Sequence, residues 1–124
     1  MTKKIIAIRG ATTVESNTTC QITSKSVELV KTIVEKNNLE SYNIISITIS
    51  STNDITAVYP AKAIRESGVL GESPLFSCLE PPIDGALPLC VRVMVMCECD
   101  SGIAPEHVYL HGAKILRSDI CKAK

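Results

Sequence analysis

Neither sign of charge is in excess in this sequence, where 13 lysines and arginines stand against 13 aspartates and glutamates in 124 residues. With 45% of the residues hydrophobic, that balance excludes a disordered chain and lacks the basic bias of a nucleic-acid binder. Long apolar runs are also missing. The longest, Leu87 to Cys97, is broken by Pro88 and Arg92 and falls far short of the roughly 20 residues that span a bilayer. At the start, Met1-Thr2-Lys3-Lys4 is followed by only four apolar residues before Arg9. An export signal needs a core of roughly 7–15, so the expectation is a cytoplasmic protein. Residues 1–117 are expected to form a single domain that buries about two-thirds of its extended surface, with 118–124 a mobile tail.

The usual marks of covalent or cofactor chemistry are absent too. The sequence has no glycine-rich dinucleotide or phosphate loop, no H-E-x-x-H and no G-x-S-x-G elbow, and Gly68 and Gly71 are too isolated to cradle a phosphate. Six cysteines would suit a disulfide framework only in an oxidising compartment, so reduced and mostly packed thiols are expected. Cys97 and Cys99, with His107 and His111 downstream, raise the question of zinc. Their C-x-C spacing is tighter than paired zinc cysteines use and lies at the end of an apolar run, so no metal is expected.

The residues present predict alternating elements. Ile5-Ile6-Ala7-Ile8 reads as an almost fully buried strand that ends where the chain turns at Gly10. Asn17 is placed to cap a helix running to Asn37-Asn38, with Ile22, Val27, Leu29, Val30, Ile33 and Val34 on one side. Ile44 to Ser50 is a strand with Ile45, Ile47 and Ile49 on one face and Ser46, Thr48 and Ser50 on the other. A polar loop at Ser51 to Asp54 follows. Pro60 to Ser67 is a two-turn helix with proline first and Gly68 after its end, and Lys62 and Arg65 share a face. Leu75 to Leu79 and Leu87 to Glu98 are strands, separated by Pro81-Pro82 and an Asp84-Gly85 turn. Val108 to Leu110 and Ala113 to Leu116 supply one bent or two short final strands. The order β-α-β-α-β-β-β is that of an α+β fold, a mixed sheet of about five strands packed with one long and one short helix. A sheet covered on one face leaves apolar surface for another subunit, so an oligomer is expected.

Arginine is where chemistry concentrates. There are only four, and Arg9 and Arg92 both sit at strand positions among apolar neighbours. Arg92 shares a strand face with Cys90, Met94 and Met96 while Val91, Val93 and Val95 point the other way. A guanidinium there needs an anion or a carboxylate partner, because an unpaired buried charge costs several kcal/mol. Glu80, held extended by the proline after it, is a candidate partner, so a structural ion pair and an anion site both remain open. Tyr109 offers a hydroxyl on the face of His107 and His111. Two strand arginines, Lys62 and Arg65 on a helix, one carboxylate and one phenol suit a small polyanion.

Four blocks carry a resemblance: Ile8-Arg9-Gly10-Ala11-Thr12-Thr13-Val14, Tyr59-Pro60-Ala61-Lys62-Ala63-Ile64-Arg65, Cys90-Val91-Arg92-Val93-Met94 and His107-Val108-Tyr109-Leu110. Together, over about Ile6 to Leu116, they resemble the small monofunctional bacterial chorismate mutases of the trimeric α+β type. One residue is missing in the loop around Gly102. The resemblance implies a homotrimer with a pseudo-α/β-barrel and active sites at subunit interfaces. It implies rearrangement of chorismate to prephenate in phenylalanine and tyrosine biosynthesis, without cofactor, metal, nucleic acid or membrane. By position, Tyr59, Ala61, Lys62, Arg65, Leu75, Phe76, Ser77 and Glu80 would come from one subunit and Arg9, Arg92, Tyr109 and Leu116 from its neighbour. Arg92, Glu80, Arg9 and Tyr109 would be catalytic and the others would bind substrate. Tyr59 replaces the usual phenylalanine, and Pro81-Pro82 is atypical. The family's pocket cysteine aligns at Ser77, with Cys78 one residue along, and either could donate to Glu80 or the substrate hydroxyl. A trimeric binder of small carboxylates and an enamine or imine deaminase of similar architecture are the alternatives.

Overall fold

The alternation seen in the sequence sorts the strands into one sheet with two unlike faces. The computed structural model describes residues 2–117, so expectations for the tail at 118–124 lie outside the described residues. The elements are β1 (Lys3–Thr13), α1 (Thr19–Lys36), β2 (Ile44–Ser51), α2 (Pro60–Ser67), β3 (Leu75–Leu79), β4 (Cys90–Asp100) and β5 (Val108–Tyr109), with 3-10 helices at Ser41–Asn43 and His111–Arg117. This is the expected order and an α+β fold. The sheet runs β3-β2-β4-β1-β5, with β2–β3 and β1–β5 parallel and β2–β4 and β1–β4 antiparallel. Among the described residues no helix is long and apolar enough to cross a membrane.

Both α-helices cover one face. Ile22, Leu29 and Ile33 of α1 and Ile64 of α2 pack on Ile8, Ile47, Ile49, Val91, Val93 and Val95, all essentially without solvent exposure. Each such aliphatic side chain contributes roughly 1.5–3 kcal/mol on burial, which makes this face the main source of stability. α2 begins with Pro60 and stops where Gly68 turns left-handed at φ 75°. Thr18, not Asn17, caps α1, its Oγ1 accepting from the Gln21 amide at 3.2 Å. Asn17 ties the loop before Tyr59 instead. Its Oδ1 accepts from the Thr56 and Ala57 amides at 2.9 and 3.0 Å.

Three further sequence expectations change. β1 does not end at Gly10 but runs on to Thr13, and it alternates rather than being buried throughout, with Ile8 buried and Ile5 exposed. Glycine is needed at position 10 for close approach, since a Cβ would lie 2.8 Å from Ile33 Cδ1 and 3.0 Å from the Val108 carbonyl oxygen. In β2 a bulge between Ile44 and Ser46 turns Ile45 outward and puts Ile44 in the core. Finally, Ala113 to Leu116 is not a strand. His111 adopts φ 52°, turning the chain out of β5 into a 3-10 helix, and the Gly112 amide donates to Thr13 Oγ1 at 2.9 Å.

Candidate active site

The other face of the sheet carries the arginines. Strand register sets Cys78, Ser50, Arg92, Ala11 and Tyr109 side by side across all five strands, so their side chains leave the same face. The next row toward the far end is Phe76, Thr48, Met94 and Arg9. In one chain this face is largely uncovered, with Met94 and Met96 about 40% exposed. Only near Tyr109 does the 3-10 helix fold back, burying Ala11, Cys90 and Ala113 with Leu87, Tyr109 and Leu116 against them. The result is a cleft of about 320 Å³ lined by Arg9, Arg92, Tyr109 and Leu116, together with Thr48, Ser50, Met94 and Arg117.

Glu80 joins this group. Its amide extends the β2–β3 ladder to the Ser51 carbonyl at 3.0 Å, which delivers the carboxylate to the face of Cys78 and Arg92. Arg92 Nε lies 2.9 Å from Glu80 Oε2, and Ser50 Oγ donates to the same oxygen at 2.7 Å. The Nε hydrogen is not aimed at that oxygen, so the contact is an ion pair rather than a directed hydrogen bond. Glu80 is 17% exposed and Arg92 43% exposed although its Nε is buried, which leaves the outer guanidinium facing the cleft. Ion pair and anion site are thus two sides of one arginine. The donor to Glu80 is neither Ser77 nor Cys78 but Ser50, which sequence reasoning missed. Ser50 stood out only as one of the three polar residues on the solvent-patterned side of β2.

Supporting contacts fix this geometry from below. Thr52 Oγ1 donates to Asp54 Oδ1 at 2.5 Å and accepts from the Cys90 amide at 3.0 Å, while Asp54 Oδ2 accepts from the amide of Leu89 at 3.0 Å. Leu89 has φ 50°, an unfavourable conformation that these bonds hold at the entrance to β4, three residues before Arg92. Cys90 is buried beneath, and that burial, reinforced by Glu80 and Asp54 and opposed by Arg92, pushes its thiol up to about 11. On β1, the amide of Arg9 donates to His107 Nδ1 at 3.0 Å, one row beyond the Gly10–Val108 pair, so the ring continues the ladder. Burial, with Arg9 and Arg117 nearby, holds His107 below its usual range. His111 does not share the Tyr109 face as the alternation implied. It turns back to α1, with Nε2 2.8 Å from Glu28 Oε1.

Apart from Phe76 and Cys78, the remaining predicted residues are on the helix side. Tyr59, Ser77 and Cys78 line a second cleft of about 510 Å³ between the α2 entrance and β3. Ser77 shares the face of Ile49 and Val93, opposite to Cys78, because the strand period is two. Lys62 and Arg65 project into solvent from α2, whereas Ala61 is 8% exposed and Leu75 packs against the core. Phe76, exposed, and Glu80 lie on the arginine face of the sheet. One chain brings Arg9, Arg92, Tyr109, Leu116 and Glu80 together and leaves Tyr59, Lys62, Arg65 and Ser77 behind the sheet. Among the described residues no cluster of three or more His, Cys, Asp or Glu side chains could hold a metal ion.

Comparison with known proteins identifies the family. A family model described as chorismate mutase type I matches residues 5–120. The chain is 36% identical over 124 residues to chorismate mutase AroH of Bacillus subtilis, covering 97% of this chain and 95% of that protein. It is also 36% identical over 122 residues to chorismate mutase AroH of Thermus thermophilus, covering 94% and 97%. Among solved structures, a chorismate mutase from Clostridium thermocellum superposes with a TM-score of 0.81 at 41% identity, covering 89% of this chain and 98% of that one.

Proposed function

Because the chain belongs to the type I chorismate mutase family and is a chorismate mutase, an isomerase acting on chorismate, we propose that its arginine face is the catalytic half of a site completed by a second chain. The observation that supports this is the placement of Arg9, Arg92, Glu80 and Tyr109 on one open face while Tyr59, Lys62, Arg65 and Ser77 lie behind the sheet. Two groups on opposite faces of one sheet cannot close on one small molecule. Head-to-tail association brings the front of one chain to the β3 and α2 edge of the next, and three such contacts close a ring. The assembly is a homotrimer working in the cytoplasm.

The reaction is a rearrangement within one molecule. The ether bond breaks as a carbon–carbon bond forms, with negative charge growing on the ether oxygen and positive charge on the ring. No nucleophile or proton transfer is required, so orientation and preorganised charge are the means available. The outer guanidinium of Arg92 donates to the ether oxygen. Arg9 and Tyr109 hold the side-chain carboxylate, and Glu80 accepts the ring hydroxyl, which selects the compact conformer. Lys62 and Arg65 of the neighbouring chain draw the dianion in. Tyr59, with Phe76, walls the ring.

Mixing two crippled variants tests the composite site. Arg92→Ala removes the front half and a Lys62→Ala/Arg65→Ala double variant weakens the back half. Co-refolded in equal amounts, they should recover about a quarter of wild-type chorismate turnover, the statistical share of intact sites in a mixed ring. Sites built within one chain would show no recovery above the sum of the two separate activities.

A further inference from the structure

Ser50 is the least expected member of the arginine face. It sits near the end of β2, paired with Cys78 on one side and Arg92 on the other, so two strands fix its position. Its hydroxyl donates to Glu80 Oε2 at 2.7 Å, the same oxygen that lies 2.9 Å from Arg92 Nε. Ser50 and Arg92 are also the two residues that line both the 320 Å³ cleft and a cleft of about 430 Å³ on the far side of the ion pair, under the Pro81–Pro88 loop. The pair is therefore a wall between two open spaces. The Glu80 carboxylate lines the second of these spaces and reaches the wall through Oε2, held there by one imperfectly directed ion pair and by the Ser50 hydroxyl.

We propose that Ser50 is a positioning residue for the mutase reaction, acting through Glu80. By occupying Oε2 together with Arg92 Nε, it stops the carboxylate turning and leaves Oε1 as the acceptor for the ring hydroxyl of the substrate. The same arrangement keeps Nε engaged behind the wall, so the outer guanidinium alone faces the ether oxygen. The inference rests on the roles of Glu80 and Arg92 proposed above.

Ser50→Thr and Ser50→Val make the decisive comparison, because the two side chains are nearly identical in shape and both suit a strand, differing in the hydroxyl. Ser50→Thr should stay within about threefold of wild type. Ser50→Val should lose roughly ten- to hundredfold in kcat/KM, the range for a hydrogen bond to a charged group, with most of the loss in kcat. In a Glu80→Ala background the same exchange should change turnover by less than about twofold, since the group through which Ser50 acts is gone. Ser50→Ala, which carries no extra volume, serves if the valine variant folds poorly. Equal activity of the threonine and valine variants, or an undiminished loss in the Glu80→Ala background, would overturn the role of Ser50 while leaving Glu80 catalytic. Near-wild-type turnover by Glu80→Ala itself would remove the reading of Glu80, and the inference with it.

Discussion

Replacing Arg92 by lysine isolates what the guanidinium does beyond carrying charge. In the wild type, Nε stands 2.9 Å from Glu80 Oε2 while the outer part of the side chain meets the cleft, so one planar group faces two ways. A lysine ammonium is a single point on a flexible stem and must choose between Glu80 and the ether oxygen. Where it stays with Glu80, the transition state loses the preorganised donor proposed for its developing negative charge. Such a loss is worth about 2.7–4 kcal/mol, a fall of about a hundred- to a thousandfold in kcat. Where it turns to the substrate, Glu80 is left 17% exposed with only Ser50 to satisfy it, and the hydroxyl contact suffers instead. Lysine is a better probe than alanine because a positive charge remains beside Glu80 and the fold is spared an uncompensated carboxylate. The assay is loss of chorismate absorbance with prephenate appearance, alongside sedimentation to verify unchanged assembly. A kcat within about threefold of wild type, less than 1 kcal/mol of barrier, would refute the argument.

Three further perturbations test separate parts of the molecule. Tyr109→Phe removes a hydroxyl proposed to hold the side-chain carboxylate in ground and transition states alike, so KM should rise about five- to tenfold with kcat little changed; a fall confined to kcat would contradict that role. Gly10→Ala sets a methyl 2.8 Å from Ile33 Cδ1 and 3.0 Å from a backbone oxygen that cannot swing aside, and it should lose about 1–3 kcal/mol by urea unfolding. An unchanged midpoint would show that α1 and β5 have room to retreat. His107 titrates below 6.5 in the fold because of burial first and then Arg9 and Arg117, so the unfolded chain takes up the proton first as pH falls. Its contribution is complete above about pH 6.5 and is lost as pH drops toward the folded value, so urea midpoints at fixed protein concentration should fall from about pH 7 to 5, less steeply in His107→Gln. Equal slopes would assign the loss to other groups.

The parts of the fold legible in the sequence were those where a single pattern decided the outcome. Pro60 and Gly68 bracket α2, and the alternation of Val91, Val93 and Val95 against Arg92, Met94 and Met96 gave β4 its two faces. Misreadings came where a neighbour outvoted the local signal. Gly10 looks like a turn until α1 presses on it, and the isoleucine run of β2 cannot reveal a bulge that depends on its partner strand. His111 and Gly112 leave the sheet because Thr13 offers a hydrogen bond, a contact between residues 99 positions apart. Local sequence carries no trace of such a bond.

The site divides along the same line. Arg9 and Arg92 could be singled out because each is chemically odd for its strand, Glu80 as a partner for Arg92 and Tyr109 through the resemblance, whereas Ser50 is an ordinary residue for the polar side of a strand. Its meaning comes from register alone, which sets it between Arg92 and Cys78 and within 2.7 Å of Glu80. Register also explains why Ser77 and Cys78, adjacent in the chain, belong to opposite faces of the sheet. A one-residue slip of β3 against β2 would exchange them and carry Glu80 off the arginine side. The two prolines after Glu80 oppose such a slip, since neither can donate to the ladder and the first holds Glu80 extended. The atypical Pro81-Pro82 pair therefore has a physical role, ending β3 where its last ladder bond, Glu80 to Ser51, sets the carboxylate beside Arg92.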